Sequence, residues 1–358
     1  EVVGWANIPH RLGSESQATT GEHHAVADNP DCTQAFTFPF VLAIAPDRNN
    51  TLERLATLDT TYSKDEHRRD FSLSGFNLLS GRSVFNYRRI ASITGSDPMT
   101  GTPGVGDMTA INWNRGNDWN LMNPPLILTA DQVQTSDQDR DWLGGLNTEA
   151  LQQAETHALL FAEWLMRNYS NPEAPLTMLS GDDSPLQTTS GLSMYPYIRE
   201  GRRILGRSAY GDEAFQLREQ DIRLDLTGGR EFEDRSVATT NYAVDIHGCR
   251  YRNWEPSGEA SSAPANEFAV RNIQIPLEAL LPQAVDNLLI GGKGIAVTHI
   301  VNAATRTHYG EWSIGGAAGA IAAYRLQTDG TAPLESLVST EDSVRLRTLL
   351  IEQQLRVE

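Results

Sequence analysis

Asn287-Leu288-Leu289-Ile290-Gly291-Gly292-Lys293-Gly294, followed by Trp312-Ser313-Ile314-Gly315-Gly316-Ala317-Ala318-Gly319-Ala320-Ile321-Ala322-Ala323-Tyr324, decides how this chain is read. Ala284 to Ile290 is a short apolar run ending in glycines, the pattern of a buried strand feeding a tight loop. The second stretch reads as a helix capped by Ser313, with almost no side chains in its first turns. Glycine costs a helix about 1 kcal/mol against alanine, so several together need a reason. Three reasons exist: close packing on another backbone, a membrane-type helix contact, or approach of a ligand to the N–H groups of the first turn. The membrane option fails, because Glu311 and Arg325 bracket a short segment. The ligand option uses the unpaired N–H groups and partial positive charge of a helix start, which favour an anion. Gly291–Gly294 is not a Walker loop, since Lys293 is followed by Gly and the upstream glycine spacing is missing.

Outward from this core, the chain falls into textures. Residues 1–130 carry short apolar runs broken by Gly, Pro, Asn and Asp, which read as strands and long loops. Residues 147–169 read as the clearest helix, with Leu151, Ala154, Ala158, Leu159, Ala162, Leu165 and Met166 at helical spacing and His157 beside them as a structural histidine. Residues 171–265 return to short segments with many turn signals, and a last amphipathic helix runs from Ser339 to Leu355, with Ser339 and Asp342 at capping-box spacing. With 358 residues and 39% apolar content, the chain can bury a sizeable core. A net charge of −17 repels nucleic acid and argues for solubility. No apolar run is long enough to span a membrane. The two cysteines, Cys32 and Cys249, read as unpaired thiols or small core residues, and no Cys/His cluster has zinc spacing. No metal site is expected.

Taken together, Asn287 to Gly294, Thr298-His299, Arg306 and Gly315-x-Ala317-Ala318-Gly319 resemble the closing motif of the FAD-dependent oxidoreductase family. Other stretches resemble the same family in order along the chain. They are Pro9-His10-Arg11-Leu12-Gly13 with Thr20-Gly21-Glu22, Ile111 to Trp119, Tyr197-Ile198-Arg199-Glu200-Gly201-Arg202-Arg203-Ile204, and Asn241-Tyr242-x-x-Asp245-Ile246-His247. The resemblance implies an α/β fold of glutathione-reductase type. Residues 1–266 would form a substrate or cap domain with long loops, 267–326 the last part of an FAD-binding domain, and 327–358 a C-terminal helix.

The family's first element is a βαβ unit with G-x-G-x-x-G that grips the pyrophosphate, and nothing like it occurs in this sequence. The resemblance therefore implies a second polypeptide, a separate subunit or another product of a cleaved precursor, that supplies this half and makes a hetero-oligomer. Any targeting signal would lie upstream. Within this chain, Gly291, Gly292 and Gly294 are expected to let backbone approach FAD. Thr298 falls in the same set, and Lys293 would add positive charge. Ser313, Gly315, Gly316, Ala317 and Ala318 would present a helix start to the N1/O2 edge of the flavin. His299 and Arg306 are expected near the isoalloxazine, with Arg306 pairing a substrate carboxylate or the reduced flavin. Asp245 and His247 lie two apart on an expected strand, so both side chains share a face and form an oriented base. Arg199 is carried as a further catalytic candidate. The expected activity is oxidation of a small organic substrate by hydride transfer to flavin N5. The alternative is a non-catalytic binding module on a degenerate flavoprotein scaffold.

Overall fold

The computed structural model describes residues 1–46, 55, 71–119, 124–207, 213–248, 269–338, 340–353 and 355. The chain forms two compact units that interleave along the sequence. One comprises Ala35–Asn123 and Thr148–Ile198; the other comprises Glu1–Gln34, Pro124–Asn147 and Arg199–Glu358. The contacts thus do not divide at the expected boundary after residue 266, because Arg199–Gly248 belongs with the segment that follows it.

The first of these units is built on a four-stranded antiparallel sheet, in the order Arg89–Ala91, Met108–Ile111, Phe40–Ile44, Leu176–Met178. Phe40–Ile44 (Phe-Val-Leu-Ala-Ile) is buried on both faces, as its unbroken apolar run requires. Helix α1 (Thr148–Tyr169) belongs to the same unit, with Glu149 in its first turn and Arg167 in its last, each matching the local end of the helix dipole. Ala150, Ala154, Ala158, Phe161 and Leu165 form its buried stripe. The stripe is turned slightly from the expected one, leaving Leu151 and Leu159 partly exposed. Phe161 anchors it, with ring centroids 6.4 Å from Phe40 and 5.1 Å from Phe71. His157 is packed against the rings of Phe71 and Trp119, the structural role expected of it.

The second unit contains three antiparallel strand pairs: His10–Arg11 with Arg203–Ile204, Ser14–Ser16 with Val26–Asn29, and Ser236–Thr240 with Ile273–Pro276. Its core gathers Ala238, Ile275, Ile300, Ile314, Ile321 and Leu350 from those strands and three helices, together with Phe215 and Leu217 from the segment before residue 219. The helices are α2 (His299–Thr305), α3 (His308–Asp329) and α4 (Thr340–Glu352). The fold is accordingly mixed α/β, with helices and small antiparallel sheets.

Three local expectations change. Ala284–Ile290 is not a strand; Leu288, Leu289 and Ile290 are half-buried, and Ile290 N–H is held by the carbonyl of Leu280 at 3.0 Å. A strand needs a neighbouring strand, and no named strand flanks this run among the described residues. Helix α3 begins at His308 with Thr307 as N-cap, a turn and a half before Ser313. The cap expected at Ser339 lies outside the described residues. The cysteine expectation also fails: Cys32 is disulfide-bonded, while Cys249 lies outside the described residues.

Candidate functional site

All of the site residues expected from the sequence belong to the second unit. Asp245 and His247 sit in a segment without regular structure rather than on a strand, yet they meet: His247 Nε2 lies 3.1 Å from Asp245 Oδ2. The hydroxyl of Tyr242 donates to the same carboxylate oxygen at 2.9 Å. Arg306, the C-cap of α2, reaches across and donates from Nη2 to the Asp245 carbonyl at 2.7 Å. Burial pushes the Asp245 carboxyl up, but His247, Arg306 and the Tyr242 hydroxyl outweigh it and hold Asp245 far below the usual carboxylate range. The result is an ionised carboxylate that orients an imidazole.

Arg306 is buried, and Nε donates to Gln34 Oε1 at 3.2 Å. Its guanidinium is therefore held by partners within the protein. Asp245, His247 and Tyr242 keep solvent-facing surface, with side-chain exposures of 34% for Asp245 and 17% for His247.

His299 lies in an adjoining cluster. Its side chain is fully buried, with Nδ1 2.9 Å from Glu200 Oε2. Glu200 also pairs with Arg203 at 3.0 Å, and Arg203 reaches Glu15 at 2.6 Å and the carbonyl of Gly13. Burial raises Glu200, but the charges of His299 and Arg203 outweigh it and hold its pKa down. Glu15 Oε2 accepts the backbone N–H of His299 at 2.9 Å, satisfying the first turn of α2. His299 is thus fully buried against the Glu200 carboxylate. Arg199 is also buried, at 2% exposure; it is the neighbouring Glu200 that enters the network.

Thr298 caps α2, accepting the N–H of Val301 at 3.3 Å, and its hydroxyl donates to Glu22 Oε1 at 2.5 Å. Glu22 also accepts the N–H of Glu219 at 2.7 Å and the hydroxyl of Thr20 at 2.9 Å. Complete burial, with Glu15 nearby, pushes the Glu22 carboxyl up to about 8 despite those hydrogen bonds.

The glycines close mainly on protein. A Cβ on Gly315 would sit 3.2 Å from the Gly291 carbonyl, and one on Gly294 would sit 3.0 Å from the Arg202 carbonyl. A Cβ on Gly291 would meet the Ala318 methyl at 3.4 Å, and one on Gly292 the Glu311 carboxylate at 3.4 Å. The loop and helix therefore pack backbone to backbone, the first of the three reasons for small residues here. Lys293 is answered by Glu311 at 3.6 Å, and burial raises the Glu311 pKa. Because α3 starts at His308, the N–H groups of Ser313, Gly315, Gly316, Ala317 and Ala318 lie inside the helix and bond to carbonyls one turn back. They are not donors to a ligand. The Ser313 hydroxyl instead accepts the N–H of Thr239 at 3.0 Å.

Thr307 has N-cap geometry at the start of α3 but makes no side-chain capping bond, whereas Thr298 caps α2 fully. Sequence reasoning missed this start, and it missed Gln34, Glu15 and Asn302. Glu22, Glu200 and Arg203 do lie inside stretches that carry the family resemblance. A separate cavity of about 410 Å³ is lined by His10, Arg11, Glu15, Thr19, Asp28 and Asp131 among others, and by none of the residues expected from the sequence. Among the described residues no group of three or more His, Cys, Asp or Glu is placed to hold a metal ion, and no helix is long and apolar enough to cross a membrane.

An oriented histidine–carboxylate pair, beside a glycine-rich loop closed on a small-residue helix, is an arrangement suited to proton-coupled redox chemistry. The chain belongs to the FAD dependent oxidoreductase family, which it matches over residues 1–338. Membership supports an oxidoreductase enzyme with FAD as its cofactor. Comparison with curated proteins and with solved structures gives no match.

Proposed function

We propose that this chain is the substrate-facing part of an FAD-dependent oxidoreductase and oxidises a small organic substrate by hydride transfer to the flavin. The observation that carries this reading is the convergence of Asp245, His247 and Arg306. His247, oriented by an ionised Asp245, takes the proton from the substrate O–H or C–H as the hydride leaves. Arg306 fixes Asp245 from the protein side. Lys293 and the Gly291-Gly292 turn, which meet Glu311 in the first turn of α3, are the residues that would border the cofactor. FAD, when bound, supplies the two-electron acceptor.

The nucleotide-gripping half comes, in this reading, from a second polypeptide carrying G-x-G-x-x-G. Two features support it. Trp312, Gly319, Ala323 and Leu326 share one face of α3 and are exposed, Trp312 at 83% and Leu326 at 75%, while Gly316 on the same face packs near Leu355. The apolar run Leu288–Ile290 is half-exposed and has no strand partner among the described residues, as expected where a sheet is to be extended by another segment.

Native mass spectrometry, a denaturing run and a visible spectrum of the purified protein test this together. A second polypeptide with one FAD per complex is the expected result. A lone, folded, colourless 39.4 kDa species would overturn it.

A further inference from the structure

Gln34 sits at the junction of the two polar clusters, 4% exposed, and uses its main chain and both ends of its amide. Its Oε1 accepts from Arg306 Nε at 3.2 Å and, more loosely, from the His247 backbone N–H at 3.4 Å. Its Nε2 donates to Asn302 Oδ1 at 2.8 Å, and Asn302 in turn donates to the Lys293 carbonyl at 3.2 Å. Its own N–H donates to Glu200 Oε2 at 2.9 Å, the oxygen that lies against His299. A backbone bridge to Gly248 ties the same residue to the end of the segment that carries Asp245 and His247.

These contacts have a directional logic. Arginine's guanidinium is a rigid planar fork, so fixing one N–H direction fixes the rest. With Nε held by Gln34, Nη2 is aimed at the Asp245 carbonyl at 2.7 Å, and its contact to Asp245 Oδ2 remains a longer 3.4 Å. That carboxylate oxygen takes its shorter contacts from the Tyr242 hydroxyl at 2.9 Å and the His247 imidazole at 3.1 Å. Without the Gln34 acceptor the guanidinium would swing toward the carboxylate and compete with the imidazole for it. The Gln34 amide also couples the turn at Lys293 to the same point through Asn302.

We infer that Gln34 is a positioning residue: it fixes the Arg306 fork so that its shorter bond goes to the Asp245 carbonyl and its longer one to the carboxylate that orients His247, and it links this pair to the Gly291–Gly294 turn. The inference rests on the proposed oxidoreductase site for its purpose, but its geometry can be tested apart from it.

The test compares the full-length protein, with whatever co-purifies, as wild type, Gln34→Met and Gln34→Glu. The Arg306 Nε–H resonance is observed by ¹⁵N nuclear magnetic resonance and identified by its loss in Arg306→Lys. Methionine keeps length but has no acceptor; glutamate keeps the acceptor and loses the donor to Asn302. In Gln34→Met the Arg306 Nε–H should exchange with water at least about tenfold faster. In Gln34→Glu it should stay protected while the Asn302 side-chain amide signals shift. If Gln34→Met does not fold, Gln34→Glu alone decides, since protection of Arg306 with a shifted Asn302 amide is expected there. An Arg306 signal unchanged in Gln34→Met, or lost in Gln34→Glu, overturns the inference. Absence of flavin in the purified protein would sink the oxidoreductase site and leave this readout intact.

Discussion

Arg306 grips Asp245 by its main chain: Nη2 donates to the Asp245 carbonyl at 2.7 Å across 61 residues of sequence, and only 3.4 Å separates it from the carboxylate. The carboxylate is thus stabilised by a longer contact from Arg306, with the Tyr242 hydroxyl and the His247 imidazole closer to the same oxygen. That leaves Asp245 free to hold the His247 imidazole in one orientation, the requirement for a histidine that removes a proton.

Asp245→Asn should therefore abolish most turnover while the protein remains folded. Asparagine keeps the shape and the backbone carbonyl that Arg306 uses, but it no longer stabilises a protonated His247. The rate of flavin bleaching under anaerobic conditions, measured with a substrate found by screening, should fall by about 10²–10⁴. A rate within threefold of wild type would remove the pair from the chemistry.

Glu22 gives a prediction about stability and pH. Its carboxyl is buried and pushed up to about 8, so it stays protonated in the folded protein when an unfolded carboxylate has already ionised. The raised pKa means that its contribution to stability is whole below the unfolded carboxylate range and is lost as pH rises toward 8. Each unit of difference is about 1.4 kcal/mol. Glu22→Gln preserves the acceptor for Thr298 and Glu219 and cannot ionise. The variant's Tm relative to wild type should rise between pH 5 and pH 8, by roughly 2–4 °C per kcal/mol. Parallel Tm curves would show that Glu22 ionises normally in the fold.

Glu200 carries the opposite sign. Its pKa is held down by His299 and Arg203, so its stabilisation is present at neutral pH and disappears as pH falls below the ordinary carboxylate range. Glu200→Gln leaves Arg203 with Glu15 but strips the partner from a buried His299. A loss of about 3–5 kcal/mol follows, as for other buried pairs cut on one side. Urea titration at pH 7 and pH 4 should show the deficit at pH 7 and a smaller one at pH 4.

The α1 helix was legible because its apolar residues recur at helical spacing and both its ends carry matching charges, information that is local to the chain. The α3 start was misplaced for the opposite reason. Ser313 is a good cap residue in isolation, but its hydroxyl is taken by Thr239, and the helix continues back through Gly310 to Thr307. Nothing local announces that. Asp245, His247 and Arg306 could be picked out by residue type and order. Gln34 could not, because its role exists only once α2 and the Asp245–His247 segment meet at its side-chain amide and Glu200 meets its backbone N–H. The strand expected at Ala284–Ile290 shows a further limit: periodicity marks a segment suited to a sheet, but the sheet needs a neighbour that local sequence does not supply.

The exposed face of α3 gives the most direct check on a partner. Trp312 and Leu326 are fourteen residues apart, nearly four turns, so they project from the same side with Gly319 and Ala323 between them. Neither side chain supports the core, so Trp312→Asp and Leu326→Glu should leave the Tm of the isolated chain within a degree or two, as for most surface changes. If this face docks the nucleotide-gripping polypeptide, each change buries an unpaired carboxylate at the contact and should release that polypeptide. Size-exclusion chromatography should then show the complex falling apart, and the visible flavin absorbance should leave the fraction that holds this chain. Retention of both in the double variant would mean that the FAD-gripping half, if it binds, meets the chain elsewhere.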